Sequence, residues 1–170
     1  PTNPRQEVGV VDEQRWKAAL GEQARKTMSS PELDRYFSIP ITKKRAQIIL
    51  TQLSIYIRHR RDCWAHVSAN CPEMSIKQKI LEHEYEEMVR DSHSEHGHLD
   101  LLIRQGKSIG LTANEILTTE PLPTTTATLY AWGWMTNEKS WLEGLASMTI
   151  TEWNQDDRLL GDIGGGHAYR

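Results

Sequence analysis

No stretch of the chain approaches the roughly 18 consecutive apolar residues that cross a bilayer, so no membrane-spanning helix is expected. A basic excess is also missing. Twenty Lys+Arg against 23 Asp+Glu leave a net charge of -3, and a nucleic-acid partner is not expected from that balance. Cys63 and Cys71 are the only cysteines and make no Cys-x-x-Cys pair, which removes a disulfide framework and fits a reducing compartment. No hydrophobic core follows Pro1-Thr2-Asn3-Pro4-Arg5, so no secretory signal is visible and a cytoplasmic location is expected. Strand signals are absent too: there is no Val/Ile/Thr run with period-two alternation and no Asn-Gly or Asp-Gly hairpin. The chain has no P-loop, no Gly-x-Gly-x-x-Gly after a strand, no His-Glu-x-x-His and no Gly-x-Ser-x-Gly. Nucleotide and hydrolase readings thereby lose their usual support.

What remains is a helical pattern. With 170 residues, 38% of them hydrophobic and 25% charged, the chain suits a single all-α domain over residues 1–170. A first helix is expected from about Asp12 to Met28, with Trp16, Leu20, Ala24 and Met28 on one stripe. Ser30-Pro31 restarts a short helix, because Ser caps well and Pro suits the first helical position. A long helix follows Thr42, its core face marked by Ile49, Leu53, Tyr56, Cys63 and Val67. Asn70-Cys71-Pro72 breaks it, and Ser75-x-x-Gln78 reads as a capping box for the next helix. The segment 91–97 is placed to bend that helix before the pattern resumes at Leu99 and ends at Gly110. Thr112-x-x-Glu115 is a second capping box, Thr118 to Pro123 a loop, and two more helices follow over about Thr124–Thr136 and Glu138–Leu160. Trp132, Trp134, Trp141 and Trp153 crowd one region and are read as core.

Three groups of residues could carry chemistry. Glu152 stands in an apolar stripe, with Leu145 and Met148 at -7 and -4 and Leu159 at +7. A carboxylate there needs a cation, a metal or a proton, because burying it alone costs several kcal/mol. His83, His93, His96 and His98 fall close together among Glu82, Glu84, Glu86, Glu87, Asp91 and Glu95. Glu95-x-x-His98 would put an acid and an imidazole on adjacent turns of one face, the spacing used by di-iron carboxylate sites in helical bundles. Asp91, two turns before His98, would share that face if the helix were continuous. His98 lies in line with Leu102 and Ile109 and is expected to point inward, whereas His83, Glu86, His93 and His96 read as a solvated face. His59, Asp62 and His66 form a third set, read as hydrogen-bonded histidines flanking a pocket rather than as metal ligands.

The turn Ser68-Ala69-Asn70-Cys71-Pro72-Glu73, with Lys79-Ile80-Leu81-Glu82-His83-Glu84 after it, resembles the pyrroloquinoline-quinone synthase (PqqC) family. Leu99-Asp100-Leu101-Leu102-Ile103-Arg104, ending at Ile109-Gly110-Leu111, and the segment from Trp141 to Thr151-Glu152 are similar to later helices of that family. The resemblance covers about residues 45 to 155 and extends to the TenA thiaminases and the haem-oxygenase-like di-iron oxidases. It implies a haem-oxygenase-like helical bundle with an internal site. The histidine at position 98 points to the di-iron branch, since PqqC lacks its counterpart. In that branch His98 and Glu152 match ligand positions. Glu95 matches a UndA-like Glu-x-x-His spacing, and Asp91 the longer CADD-like one. The resemblance therefore implies a metal site of Asp91, Glu95, His98 and Glu152, holding two non-haem iron ions or alternatively manganese, in an enzyme that uses O2 on a small-molecule substrate. A homodimer is expected. No His-x-x-x-Asp-x-x-His follows Glu152, so the bundle is expected to lack its C-terminal helices. The rival expectations are a metal-free enzyme of the PqqC or TenA type and a non-catalytic helical binding protein.

Overall fold

The computed structural model describes residues 12–90 and 95–153, and among these there are helices and no strand. In order they are α1 (Glu13–Met28), α2 (Pro31–Ser38), α3 (Lys43–Asn70), α4 (Met74–Met88), α5 (Gly97–Ser108), α6 (Ala113–Thr118), α7 (Pro123–Asn137) and α8 (Trp141–Trp153). Contacts group the chain into two compact units, one Pro40–Met148 and the other Pro1–Ile39 with Thr149–Arg170. α8 begins in the first unit and ends in the second.

Local chemistry sets the helix starts. The Asp12 carboxylate accepts from the Gln14 and Arg15 N–H groups (3.0 and 3.4 Å), the Ser30 hydroxyl from Leu33 N–H (3.4 Å), and Thr42 from Arg45 N–H (3.2 Å). At α6 the capping box closes both ways. Glu115 N–H donates to Thr112 Oγ1 (3.1 Å), and Thr112 N–H donates to Glu115 Oε2 (2.7 Å). The box expected at Ser75 does not form: α4 starts two residues earlier than that cap implies, Glu73 is its cap, and Ser75 already lies inside the first turn. Ser140-x-x-Glu143 forms one instead, with the Ser140 N–H and hydroxyl on Glu143 Oε2 and Glu143 N–H on Ser140 Oγ (3.3 Å). The last helix accordingly opens after Ser140, not at Glu138, and the stretch of it expected beyond Trp153 lies outside the described residues.

In the unit Pro40–Met148, α3 is the spine, with α4, α5, α6 and α7 packed on it. Cys63, Trp64, Val67, Ile80 and Met148 form its core, flanked by Ile76, Trp132 and Leu145. Polar side chains on α3 fasten the connections. Ser54 Oγ donates to the Ile116 carbonyl (2.7 Å) and Gln47 Nε2 to the Ile109 carbonyl (3.1 Å). Gln52 donates to the Glu120 carbonyl (3.1 Å), while its own oxygen accepts from Leu122 N–H (2.9 Å) and the Thr125 hydroxyl (2.7 Å). The loop before α7 is thus held by one amide side chain, which satisfies backbone groups that would otherwise need water.

Two expectations about tryptophan need correction. Trp16, assigned to a core stripe, is 58% exposed, and Trp134 is 52% exposed with Lys139 Nζ 4.3 Å from its ring centroid. Trp132 does pack on the core. Trp153 falls at the edge of the described segment, and nothing follows about its side chain.

Candidate active site

α3 and α4 carry opposite charges toward one another. On α3, the stripe Leu53, Tyr56, Cys63 and Val67 is interrupted by Arg60, which is 6% exposed, and Arg61 is its neighbour. On α4, Ile76 and Ile80 are followed at helical spacing by Glu84, also 6% exposed. Arg61 Nη1 lies 3.0 Å from Glu84 Oε1 and 3.1 Å from Glu87 Oε2, so one guanidinium nitrogen serves two carboxylates. The other oxygen of Glu87, Oε1, lies 3.0 Å from His98 Nδ1 at the start of α5. His83 Nε2 is 3.8 Å from Glu84 Oε1, and its ring meets Trp64 edge-on at 5.3 Å. The Arg60 guanidinium lies 5.5 Å from the Tyr56 ring centroid, and Tyr56 in turn meets Trp132 edge-on.

Burial decides the charge states. It pushes the Glu84 carboxyl up to about 7; the Arg61 charge opposes this, Glu87 adds to it, and Arg60 opposes it. Burial also lowers the His83 imidazole, with Glu87 pulling it back up, and it lowers Arg60 from the usual guanidinium range. A carboxyl raised in the folded state favours folding fully below about pH 4.5, its ordinary value, and that contribution is lost as pH rises through about 7. The metal-free protein is therefore expected to lose about 3 kcal/mol of stability relative to Glu84→Gln between pH 4.5 and 7. Paired urea titrations across that window check this, and a difference that does not vary with pH refutes it.

The predicted site residues are distributed unevenly. His98, expected to point inward, has 36% of its side chain exposed, and its Nδ1 approaches Glu87. Glu95 lies in the turn before α5 and is exposed, because the helix is not continuous through this region: α4 ends at Met88, and Gly97 (φ 72°) opens α5. The shared face assumed for Glu95 and His98 is therefore absent. Asp91, like His93, lies outside the described residues. Glu152 is half-buried on α8, with Oε1 enclosed, at the end of the helix that belongs to the other unit. His83, read as solvated, is instead packed against Trp64. His59 behaves as read, its Nε2 3.0 Å from the Leu129 carbonyl.

Arg61, Glu84 and Glu87 are the residues the sequence reading does not single out. The signal was present for Glu84, a carboxylate in line with Ile76 and Ile80, and is the same one that flags Glu152. The density of acids around it hid it.

Iron is the group the resemblance implies, and the donors can be tested for it. Carboxylate oxygen and imidazole nitrogen are the donor types iron or manganese takes. Glu87 Oε1 and His98 Nδ1, one donor of each type, stand 3.0 Å apart. The same separation serves a charge-assisted contact without metal. Among the described residues, no three His, Cys, Asp or Glu side chains converge as a metal site. The pair is of a donor type that suits iron, and the described residues bring no third such side chain to it.

No helix among the described residues is long and apolar enough to cross a membrane. A comparison with curated proteins gives no match. The family model described as TENA/THI-4/PQQC family matches residues 42–159, from the cap of α3 through α8, which is over two thirds of the chain. Its members point to an enzyme of small-metabolite metabolism on a haem-oxygenase-like helical fold. The chain belongs to the TENA/THI-4/PQQC family.

Proposed function

We propose that the chain is a non-haem iron oxidase or oxygenase that acts with O2 on a small metabolite, with Glu87 and His98 as its paired acid and imidazole ligands. The observation that carries this reading is the 3.0 Å approach of Glu87 Oε1 to His98 Nδ1. It brings an acid and a histidine together, as the di-iron branch requires, with a different acid from those its spacing suggested. Bound iron would supply O2 activation. The chain's own contribution is a Glu87 carboxylate held between Arg61 and His98, and a Glu84 carboxyl able to give or take a proton near neutrality.

The test is anaerobic Fe(II) titration of the protein, with ions counted per chain. Two tightly bound ions that support substrate-dependent O2 uptake are expected, and a chain that binds none overturns the reading. A second reading, a metal-free enzyme of the PqqC or TenA kind, is favoured by Glu84 itself, since a buried carboxyl raised to about 7 beside His83 suits proton transfer without a metal. Turnover that persists in chelator would select this second reading.

A further inference from the structure

α4 carries apolar residues on two sides. Ile76 and Ile80 turn inward, where the helix packs on α3 and α5. The outer side carries Met74, Leu81, Tyr85 and Met88, all exposed, with Met74 67% and Leu81 64% open. Scattered single exposed apolar residues are ordinary, whereas a contiguous stripe of them marks a contact surface. Together with Gln78 these residues step along the helix by 4, 3, 4 and 3 positions, the spacing of a coiled-coil seam. The seam is also self-complementary. Laid antiparallel on a copy of itself about Leu81, it sets Leu81 against Leu81, Met74 against Met88, and the Gln78 amide opposite the Tyr85 hydroxyl.

The charges of α4 favour that direction. Lys77 and Lys79 lie in its first half, Glu82 and Glu86 in its second. A parallel pair would set like charges side by side. An antiparallel pair brings Lys79 of one protomer near the partner's Glu82 and Glu86, and the exposed Glu73 end of one helix to the exposed Arg90 end of the other. Glu82, beside the centre of the seam, already holds its own Lys79 at 2.7 Å, so its approach to the partner's Glu82 is compensated. We propose that the outer face of α4 is the interface of a two-fold symmetric homodimer, a second copy of this chain pairing antiparallel through Met74, Gln78, Leu81, Tyr85 and Met88. An isologous contact of this kind closes on itself and leaves no open face for further growth. The inference does not depend on what the cluster between α3, α4 and α5 binds.

Light scattering on the eluting protein, from micromolar to near-millimolar concentration, tests it. The wild type is expected to reach twice its 19.5 kDa chain mass. Leu81→Glu puts two like charges at the two-fold and is expected to weaken the dimer by about 100-fold or more while helix content is kept, because like charges juxtaposed at an interface cost several kcal/mol. Lys79→Glu is expected to weaken it several-fold. Trp134→Ala, on the exposed side of α7, is expected to leave it within about twofold. A chain that stays monomeric overturns the proposal and leaves the face to a different protein or a further length of polypeptide. A dimer that survives Leu81→Glu, tightens with Lys79→Glu, or is lost with Trp134→Ala overturns it as well. Should Leu81→Glu not fold, Leu81→Cys decides. The new thiol faces its own copy across the two-fold, whereas Cys63 and Cys71 are buried. Oxidised glutathione is then expected to give a covalent dimer from Leu81→Cys and none from Tyr130→Cys, and equal yields from the two overturn the proposal.

Discussion

Alanine at position 97 is expected to cost about 2–4 kcal/mol of stability and to pull His98 out of register with Glu87. Gly97 opens α5 at φ 72°, a conformation that costs an L-residue about 1–2 kcal/mol. Space is the harder constraint. A Cβ there would lie 2.6 Å from both the carbonyl carbon and the oxygen of Met88, and 2.7 Å from the Glu87 carbonyl oxygen. These are backbone atoms of α4, so relief requires the start of α5 to move away from the end of α4. His98 is the next residue, and Glu87 is the residue whose backbone is struck. The bare Cα of Gly97 is thus what allows the imidazole to reach the carboxylate. Gly133 on α7 is the control, since a Cβ there meets only the His59 ring at 4.0 Å, and helix propensity favours alanine by about 1 kcal/mol. Urea unfolding of both variants with Fe(II) titration measures the contrast. If Gly97→Ala is as stable as Gly133→Ala and binds metal as wild type does, the packing account is wrong.

That glycine also shows where the sequence could be read and where it could not. The helical class, the start of α3 at Thr42 and the capping box at Thr112 all follow from local rules. Capping and periodicity depend on residues within one or two turns of each other. The partner of His98 does not. It depends on α4 stopping at Met88 and on α5 folding back across it, so that an acid eleven positions away comes within 3.0 Å while Glu95, three positions away, is left in an exposed turn. Spacing arguments assume one helix, and Gly97 removes that premise. Arg61 escaped notice for a related reason. It stands one position off the apolar stripe, and its significance comes from α4, a different helix. Trp16 failed in the opposite direction, because stripe position on a peripheral helix predicts a face but not whether anything covers it.

The choice between Glu87 and Glu95 can be made by substitution. Glu87→Gln keeps the shape of the side chain and leaves Arg61 its ion pair with Glu84, so the fold is expected to survive. It removes the negative charge and one good donor, and a lost ligand is expected to cost at least as much as the 10–100-fold typical of outer-shell partners, hence about 100-fold or more in Fe(II) affinity. The change also removes a like charge that helps hold the Glu84 carboxyl near 7, so the pH at which Glu84 titrates is expected to move down. Glu95→Gln, on an exposed turn, is expected to leave affinity within about twofold, as surface substitutions away from a site usually do. The reverse pattern, with binding lost at Glu95 and kept at Glu87, would return the ligand role to the Glu-x-x-His spacing and reduce Glu87 to a structural partner of Arg61. Loss at both positions would require the turn before α5 to close over the pair when metal binds. Calorimetry on the two variants, with the titration of Glu84 followed alongside, separates these outcomes, because only the Glu87 substitution touches both readouts.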